Sequence, residues 1–502
     1  MIRHCSRRVV SSLLVLLVAM LAIATAPPAG AQATRATDHV VLVSLDGFDP
    51  TTYLDPARFG VDLPTLKMLK ESGSWADGVE VQYPSMTYPG HTSIVTGVHP
   101  ARHGVYQNTQ LDPVTSATSW YFESRWLKVP AIWDIAEARG LSTAGVSWPV
   151  SVGAKMRTLY PESNQAPRNT TWLDLARQES TPGLVDAVVQ ELGGFGARDN
   201  LDPVKRDRFA AAMATHIIRS VKPNLIVIHL MQSDDAQHNH GPRSAEAKTA
   251  FSNLDRHLAE IVRAVDDAGI RARTTFVVTG DHGFYAVHSM FQPNVLLRDM
   301  GLLSTDATGR ITEWKAQTHG FAIKMKDAHD SATAELIVRT FTSLAEGQYK
   351  GLFRVVTRAE MDALAADPDA LITLEPVEGY TVQPSVDGNA FLVPTTRRGQ
   401  HGYLPSNPQL RTGLILTGAG IRAGIELPFA RQNRHRADNR TAARVRDDGR
   451  RRRRDGWRPE VERLSARFTL RASLRASSTR QRPAESRSPA GRLPPSPTSR
   501  SC

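Results

Sequence analysis

Cysteine is nearly absent: the 502 residues hold two, Cys5 and Cys502. Cys5 lies in a segment expected to be removed, so the mature chain has no intramolecular disulfide. A disulfide-stapled scaffold is excluded, and packing, aided by any bound metal, must hold the fold. Long apolar runs are equally scarce. "SSLLVLLVAMLAIATA" follows Arg3, Arg7 and Arg8, ends at Pro27-Pro28, and is followed by the small-residue run "AQA" at 31–33. This pattern predicts a signal peptide over residues 1–33, cleaved after Ala33. No second stretch is long enough to cross a bilayer. The expected protein is therefore exported, periplasmic or secreted, with no stable membrane span after cleavage.

Lysine is missing from residues 431–502, which hold 21 arginines and seven acidic residues, a net +14. The whole chain carries +11, so residues 1–430 carry −3. The basic excess belongs to the tail alone. That tail contains "RRRRR" at 450–454 and a Ser/Pro/Arg-rich end, the composition of a disordered segment. A basic arm for nucleic acid is one reading of it. Trp457 and Phe468 are its only Phe, Trp or Tyr residues, so base stacking is poorly served and nucleic-acid binding is not expected.

Between these ends, apolar runs alternate with amphipathic ones. "HVVLVSLDGF" (39–48), "LIVIHLMQSDD" (225–235) and "TTFVVTGDHG" (274–283) read as strands buried on both faces, each ending in acids. "LSTAGVSWP" (141–149) and "TGLILTGAGI" (412–421) are further strands. Helices are expected at 63–73 with a glycine stop, near 90–97, and at 130–140, 208–224 and 247–269. The predicted class is α/β, a mainly parallel sheet flanked by helices, with an inserted α+β region at about 295–395. Residues 34–430 form the expected folded domain. Ligands of such sheets bind beyond the carboxyl ends of the strands, where Asp46, Asp234 and Asp281 are expected.

Those acids have imidazoles close by. "DDAQHNHGP" sets Asp234 and His238 four apart, so one turn can present both. "DHG" sets Asp281 beside His282, and "GQHGY" supplies His401. Three carboxylates and three imidazoles at loops and strand ends suit Zn²⁺, with Mn²⁺, Fe or Co²⁺ as alternatives. Singly, each motif reads as a turn or cap residue; together they make a metal constellation. Thr87, in "YPSMTYPGHTSIVTG" (83–97), lies between Pro84 and Pro89 at the start of an expected helix. Taken alone it reads as an N-cap.

"VLVSLDGF", "YPSMTYPGHTSIVTGVHPARHGV", "PAIWDIAEARG…GVSWP", "DDAQHNHGP", "TGDHGF" and "GQHGY", in this order, resemble the alkaline phosphatase superfamily. The resemblance is closest to its nucleotide pyrophosphatase/phosphodiesterase (type I phosphodiesterase) family. It implies a doubly wound alkaline-phosphatase-like fold, two divalent ions and a threonine nucleophile. One ion would be held by Asp46, Thr87, Asp281 and His282, the other by Asp234, His238 and His401. The implied activity is hydrolysis of a phosphodiester or nucleotide pyrophosphate through a covalent intermediate on Thr87.

Diesterases of this family usually carry Asn at the third position after the threonine, where this chain has Gly90. Relatives with a "PGH" pattern include phosphomonoesterases, which bind phosphate through a Lys and an Arg two apart. Lys155 and Arg157 stand at that spacing, although alone they read as exposed basic residues. Asn108 is another candidate donor to phosphate. A monoesterase is therefore the alternative activity, and a non-catalytic anion-binding protein using the tail is the alternative of another class. Relatives also continue past the last histidine with a segment such as "IDIAPTIARLLG", where this chain reads "RQNRHRADNRTAAR" (431–444). Deleting one base from a synonymous codon choice at Asn433 yields Ile-Asp-Ile-Ala-Pro-Thr-Ile-Ala-Arg. The tail is accordingly expected to be a frameshifted translation.

Overall fold

The computed structural model describes residues 37–163, 170–196, 198–427 and 430–432. The expected signal peptide and the tail beyond Gln432 lie outside the described residues. Eight strands form the central sheet: β1 (His39–Leu45), β2 (Gly73–Ala76), β3 (Thr143–Val146), β4 (Thr158–Tyr160), β5 (Leu225–Leu230), β6 (Thr274–Thr279), β7 (Leu414–Gly418) and β8 (Ile425–Leu427). Their order is β8-β2-β7-β6-β1-β5-β3-β4. The run β6-β1-β5-β3-β4 is parallel throughout. β7 runs antiparallel to both β6 and β2.

The central strands are continuous apolar runs because both faces are covered. Val41, Val43 and Leu45 of β1 join Ile226 and Ile228 of β5 in one core. Leu42 joins Leu225 and Val227 in a core on the other face. Helices α1 (Pro64–Glu71), α2 (Thr87–Thr96), α3 (Pro203–Ser220) and α5 (Ala245–Asp267) contribute to these cores, and α4 (Gln232–His240) packs against α5. Asp202 caps α3 through the Val204 and Lys205 amides, and Ser244 caps α5 through the Ala247 amide. Among the described residues no helix is long and apolar enough to cross a membrane.

Three expectations need correction. Gly73 is not a helix stop but the first residue of β2. A Cβ there would lie 2.1 Å from the Leu416 carbonyl oxygen, so glycine serves close strand approach. The segment 225–235 is not all strand: β5 ends at Leu230 and α4 begins at Gln232. Asp234 thus lies in the first turn of a helix instead of at a strand end. α3 starts at Pro203, ahead of the apolar stripe, because the Asp202-Pro203 pair is a strong start signal that the stripe alone does not show.

The excursion between β6 and β7 carries its own core. Strands Ala316–His319, Ala322–Met325, Ala370–Pro376 and Phe353–Val356 form an antiparallel sheet in that order. Helix α6 (Ser331–Glu346) supplies Ile337 and Phe341 to the core of this region. Its residues Gln317–Phe321 line a cleft of about 660 Å³ above the carboxyl ends of the parallel strands.

Candidate metal centre

Four elements deliver the acids and imidazoles: Asp46, Asp234, His238 and His401 line this cleft, and Asp281 and His282 lie fully buried beside Asp46. Asp46 follows β1, and Asp281 and His282 follow β6 after a single glycine. α4 presents Asp234 and His238 one turn apart, and His401 follows the short strand Gly399–Gln400. Gly47 makes the first turn possible. Its φ is +68°, and its amide donates to Asp281 Oδ1 at 3.1 Å. A Cβ there would lie 2.6 Å from the Phe284 ring.

The six residues fall into two compact groups, Asp46–Asp281–His282 and Asp234–His238–His401. In the first, His282 Nε2 is 3.4 Å from Asp46 Oδ1 and 3.1 Å from Asp281 Oδ2. In the second, Asp234 Oδ1 is 3.4 Å from His238 Nε2 and 3.6 Å from His401 Nε2. The His282 and His401 rings stack at 3.6 Å, which joins the groups.

Proton positions follow from the partners. His238 Nδ1 faces the Gly399 carbonyl at 2.9 Å, and His401 Nδ1 faces the Ser85 carbonyl at 2.9 Å. A carbonyl only accepts, so both Nδ1 atoms carry the proton. Burial pushes His238 down to about 4 and His401 down to about 3, so both rings are neutral. Their Nε2 lone pairs then face each other at 3.1 Å, an arrangement that a shared cation resolves. The carboxylates agree. Asp46 Oδ1, Asp234 Oδ1 and Asp281 Oδ2 are buried with no hydrogen-bond partner. Burial raises Asp46 and Asp281 well above the usual carboxylate range and pushes Asp234 up to about 6. Buried acceptors without donors, facing imidazole lone pairs, fit two cations with N and O ligands.

Thr87 is the first residue of α2, and Met86, with no capping side-chain bond, is the N-cap. Thr87 therefore does not have the capping role that the sequence left open. Its Oγ1 lies 3.4 Å from His282 Nε2, beside the first group. The Tyr88 amide in the same turn donates to Asn108 Oδ1 at 3.0 Å. Asn108 and Thr87 both line the cleft, with the Asn108 carbonyl oxygen held at the helix start. The segment "YPSMT" serves both groups at once. Ser85 orients His401 through its carbonyl and accepts the Gly402 amide at its hydroxyl, 3.0 Å away.

Gly90, Lys155 and Arg157 do not line the cleft. A Cβ on Gly90 would lie 2.9 Å from Asp281 Cβ, so this position packs against a site acid. Lys155 and Arg157 are exposed, on the approach to β4. The pair expected to mark a monoesterase is not at the site.

Several site neighbours escaped the sequence reading. His229 Nε2 meets Asp46 Oδ2 at 2.9 Å, and its Nδ1 meets the Ser147 carbonyl at 3.0 Å. Burial pulls His229 down, but Glu162 and nearby carboxylates outweigh it and leave the ring above its usual value. Its signal was a lone histidine within the apolar run "LIVIHL". Glu162, Arg206 and Arg397 also line the cleft, with Arg206 paired to Asp235. They are ordinary charged residues in sequence, and only the fold brings them here.

The family model for type I phosphodiesterase / nucleotide pyrophosphatase matches residues 40–376. Human ectonucleotide pyrophosphatase/phosphodiesterase family member 1 is 24% identical over 252 residues, 49% of this chain and 24% of that protein. Venom phosphodiesterase of Macrovipera lebetinus is 25% identical over 253 residues, 49% of this chain and 25% of that one. These matches span about a quarter of the length of the curated relatives. Among solved structures, murine ectonucleotide pyrophosphatase/phosphodiesterase 5 superposes with a TM-score of 0.55 at 17% identity, over 79% of this chain and 92% of that one. An inactive Thr-to-Ala variant of that murine protein, in complex with AMP, gives 0.56 at the same identity and coverage. These structures share the alkaline-phosphatase-like architecture. The family match runs from β1 to the end of strand Ala370–Pro376, and the chain accordingly belongs to the type I phosphodiesterase / nucleotide pyrophosphatase family.

Proposed function

We propose that this chain is an exported, periplasmic or secreted hydrolase of phosphodiester or nucleotide pyrophosphate bonds. Thr87 is its nucleophile. Asp46, Thr87, Asp281 and His282 hold one divalent ion, and Asp234, His238 and His401 hold the other. Zn²⁺ suits three-residue sets of imidazole and carboxylate best. The observation that carries this reading is the pair of facing Nε2 lone pairs on His238 and His401, together with three unpartnered buried carboxylate oxygens. Bound ions would lower the pKa of a hydroxyl and stabilise the charge on a departing oxygen.

The remaining roles fall to the chain itself. The start of α2 gives Thr87 Oγ a favourable field for negative charge. The Thr87 proton passes to solvent, Oγ bonds to phosphorus, and the leaving oxygen takes the electron pair of the broken P–O bond. Water then cleaves the threonyl ester and restores the hydroxyl. The net reaction consumes one water and yields a phosphomonoester and the leaving group. Asn108, fixed through its carbonyl to the Tyr88 amide, directs its side-chain NH₂ to a phosphate oxygen. The murine relative that lost activity on Thr-to-Ala substitution and is described with AMP supports a threonine nucleophile and a nucleotide ligand.

Hydrolysis of bis-p-nitrophenyl phosphate by the zinc-loaded chain tests this. Activity should vanish on chelation and return with Zn²⁺. Thr87→Ala should lower it by at least ~10³, the usual scale for loss of a nucleophile. Near-wild-type turnover by that variant would remove Thr87 from its role.

A further inference from the structure

The cleft is electrically lopsided. Of its two arginines, Arg206 is already neutralised by Asp235. Arg397 is exposed at the rim, and among the described residues its guanidinium has no ion pair. Its backbone is nevertheless fixed. The Arg397 amide donates to Thr395 Oγ1 at 3.2 Å. The next amide, of Arg398, donates to the His238 carbonyl at 2.9 Å, and the Arg398 carbonyl accepts from the Val287 amide at 3.0 Å. Arg397 is thus stapled beside α4 and the Asp234–His238–His401 group. Its positive charge acts on all three of those residues.

Thr87 sits at the opposite group, 3.4 Å from His282. In an in-line displacement the leaving group departs on the face of phosphorus opposite the nucleophile. That is the side of the second group and of Arg397. A cation waiting there meets the leaving group and not the retained half of the substrate.

Resting on the function proposed above, we infer that Arg397 is a contact for an anionic leaving group. The enzyme therefore favours phosphoanhydrides that release pyrophosphate or a nucleotide over diesters whose leaving group carries no phosphate. With a nucleoside triphosphate, the Thr87 Oγ–P bond forms as the α–β P–O bond breaks. The bridging oxygen keeps the electron pair and leaves with the terminal phosphates as pyrophosphate. Water then releases the nucleoside monophosphate.

The test compares kcat/KM for thymidine triphosphate and for p-nitrophenyl thymidine monophosphate, which share the retained half. In Arg397→Ala the triphosphate-to-nitrophenyl ratio should fall by about 10-fold or more, the scale of one charge-assisted hydrogen bond. Arg397→Lys should recover part of it. Added salt should lower the ratio in wild type and leave it flat in Arg397→Ala, because a rim charge is screened. A ratio within about two-fold of wild type in Arg397→Ala would overturn the inference, whose scale comes from the same charge-assisted bond. If neither substrate is hydrolysed, the functional reading fails separately. Calorimetry with inorganic pyrophosphate on the zinc-loaded protein then decides the subsite: weaker binding to Arg397→Ala upholds it, and equal binding removes it.

Discussion

Asp281→Asn should have opposite effects on the metal-free and the zinc-loaded protein. Asp281 is fully buried, and its Oδ2 has no donor. Its Oδ1 is satisfied by the Gly47 amide at 3.1 Å, a bond that Asn keeps through its own carbonyl. The new NH₂ takes the place of Oδ2, 3.1 Å from His282 Nε2, where it donates to the ring nitrogen. Without metal, wild type must either keep a charge there or protonate it. Burial and the neighbouring Asp46 raise this carboxyl well above its usual range. Protonation at pH 7.5 of a group that titrates near 3.9 when unfolded costs about 5 kcal/mol, the ceiling of the penalty. Relaxation and water entry reduce it, so the metal-free variant should gain roughly 1–4 kcal/mol.

The pH dependence has a definite sign. The folded carboxyl titrates above the unfolded one, so the wild-type penalty is absent below about pH 4 and grows as pH rises. The advantage of the variant should therefore vanish near pH 4 and be largest above neutrality. Zinc reverses the order. Wild type gains about 4.1 kcal/mol per site at about 1,000 times Kd, more than that advantage, and the variant loses most of this gain at one site. Urea unfolding of the full chain, in chelator and in zinc, from pH 4 to 8, reads both effects. An Asp281→Asn protein that is less stable than wild type in chelator at pH 7.5 would refute the argument that this carboxylate exists for a cation.

Two further outcomes follow from the corrected positions. Gly90→Ala would place a methyl 2.9 Å from Asp281 Cβ, so zinc titration should show about 10-fold weaker binding, and stability should fall by about 1–3 kcal/mol. Replacing both Lys155 and Arg157 by Ala should leave hydrolysis of p-nitrophenyl phosphate and of its diester within about two-fold, since exposed charges away from a site do little. A selective loss on the monoester would restore the monoesterase reading.

The fold was legible where one physical rule dominates. β1, β5 and β6 are buried on both faces, so their apolar runs announce them, and the Asp-Gly and Asp-His endings mark where they stop. β2 was illegible: four residues held by pairing with β7 have no periodicity of their own. The boundary between β5 and α4 was blurred because Met231 and Gln232 suit either state. Asp234 with His238 and Asp281 with His282 were readable because those spacings on one turn or one strand end are local; Asp46 and His401 have no such neighbour and were placed by the ensemble of motifs. Arg397, Glu162 and Arg206 were not, since each reaches the cleft by long-range packing.

His229 shows why a residue type cannot be read as a role. The sequence offers it as a lone imidazole in an apolar run, ahead of the acids that accompany His238. The structure separates them by what faces each nitrogen. His238 has a carbonyl at Nδ1 and carboxylate and imidazole atoms at Nε2, so it donates with one nitrogen and offers a lone pair with the other. His229 has acceptors on both sides, the Ser147 carbonyl and Asp46 Oδ2. Ser147 holds a left-handed backbone, φ +51°, immediately after β3, which fixes the direction of that carbonyl. A ring that donates from both nitrogens has no lone pair for a metal. What it does is occupy one oxygen of Asp46 so that the other, Oδ1, is left facing His282. Asp281 uses the same division of labour, with the Gly47 amide on one oxygen and the second left open. Each acid of this group therefore presents a single oxygen in a fixed direction, toward His282 Nε2, which the Thr87 hydroxyl also faces.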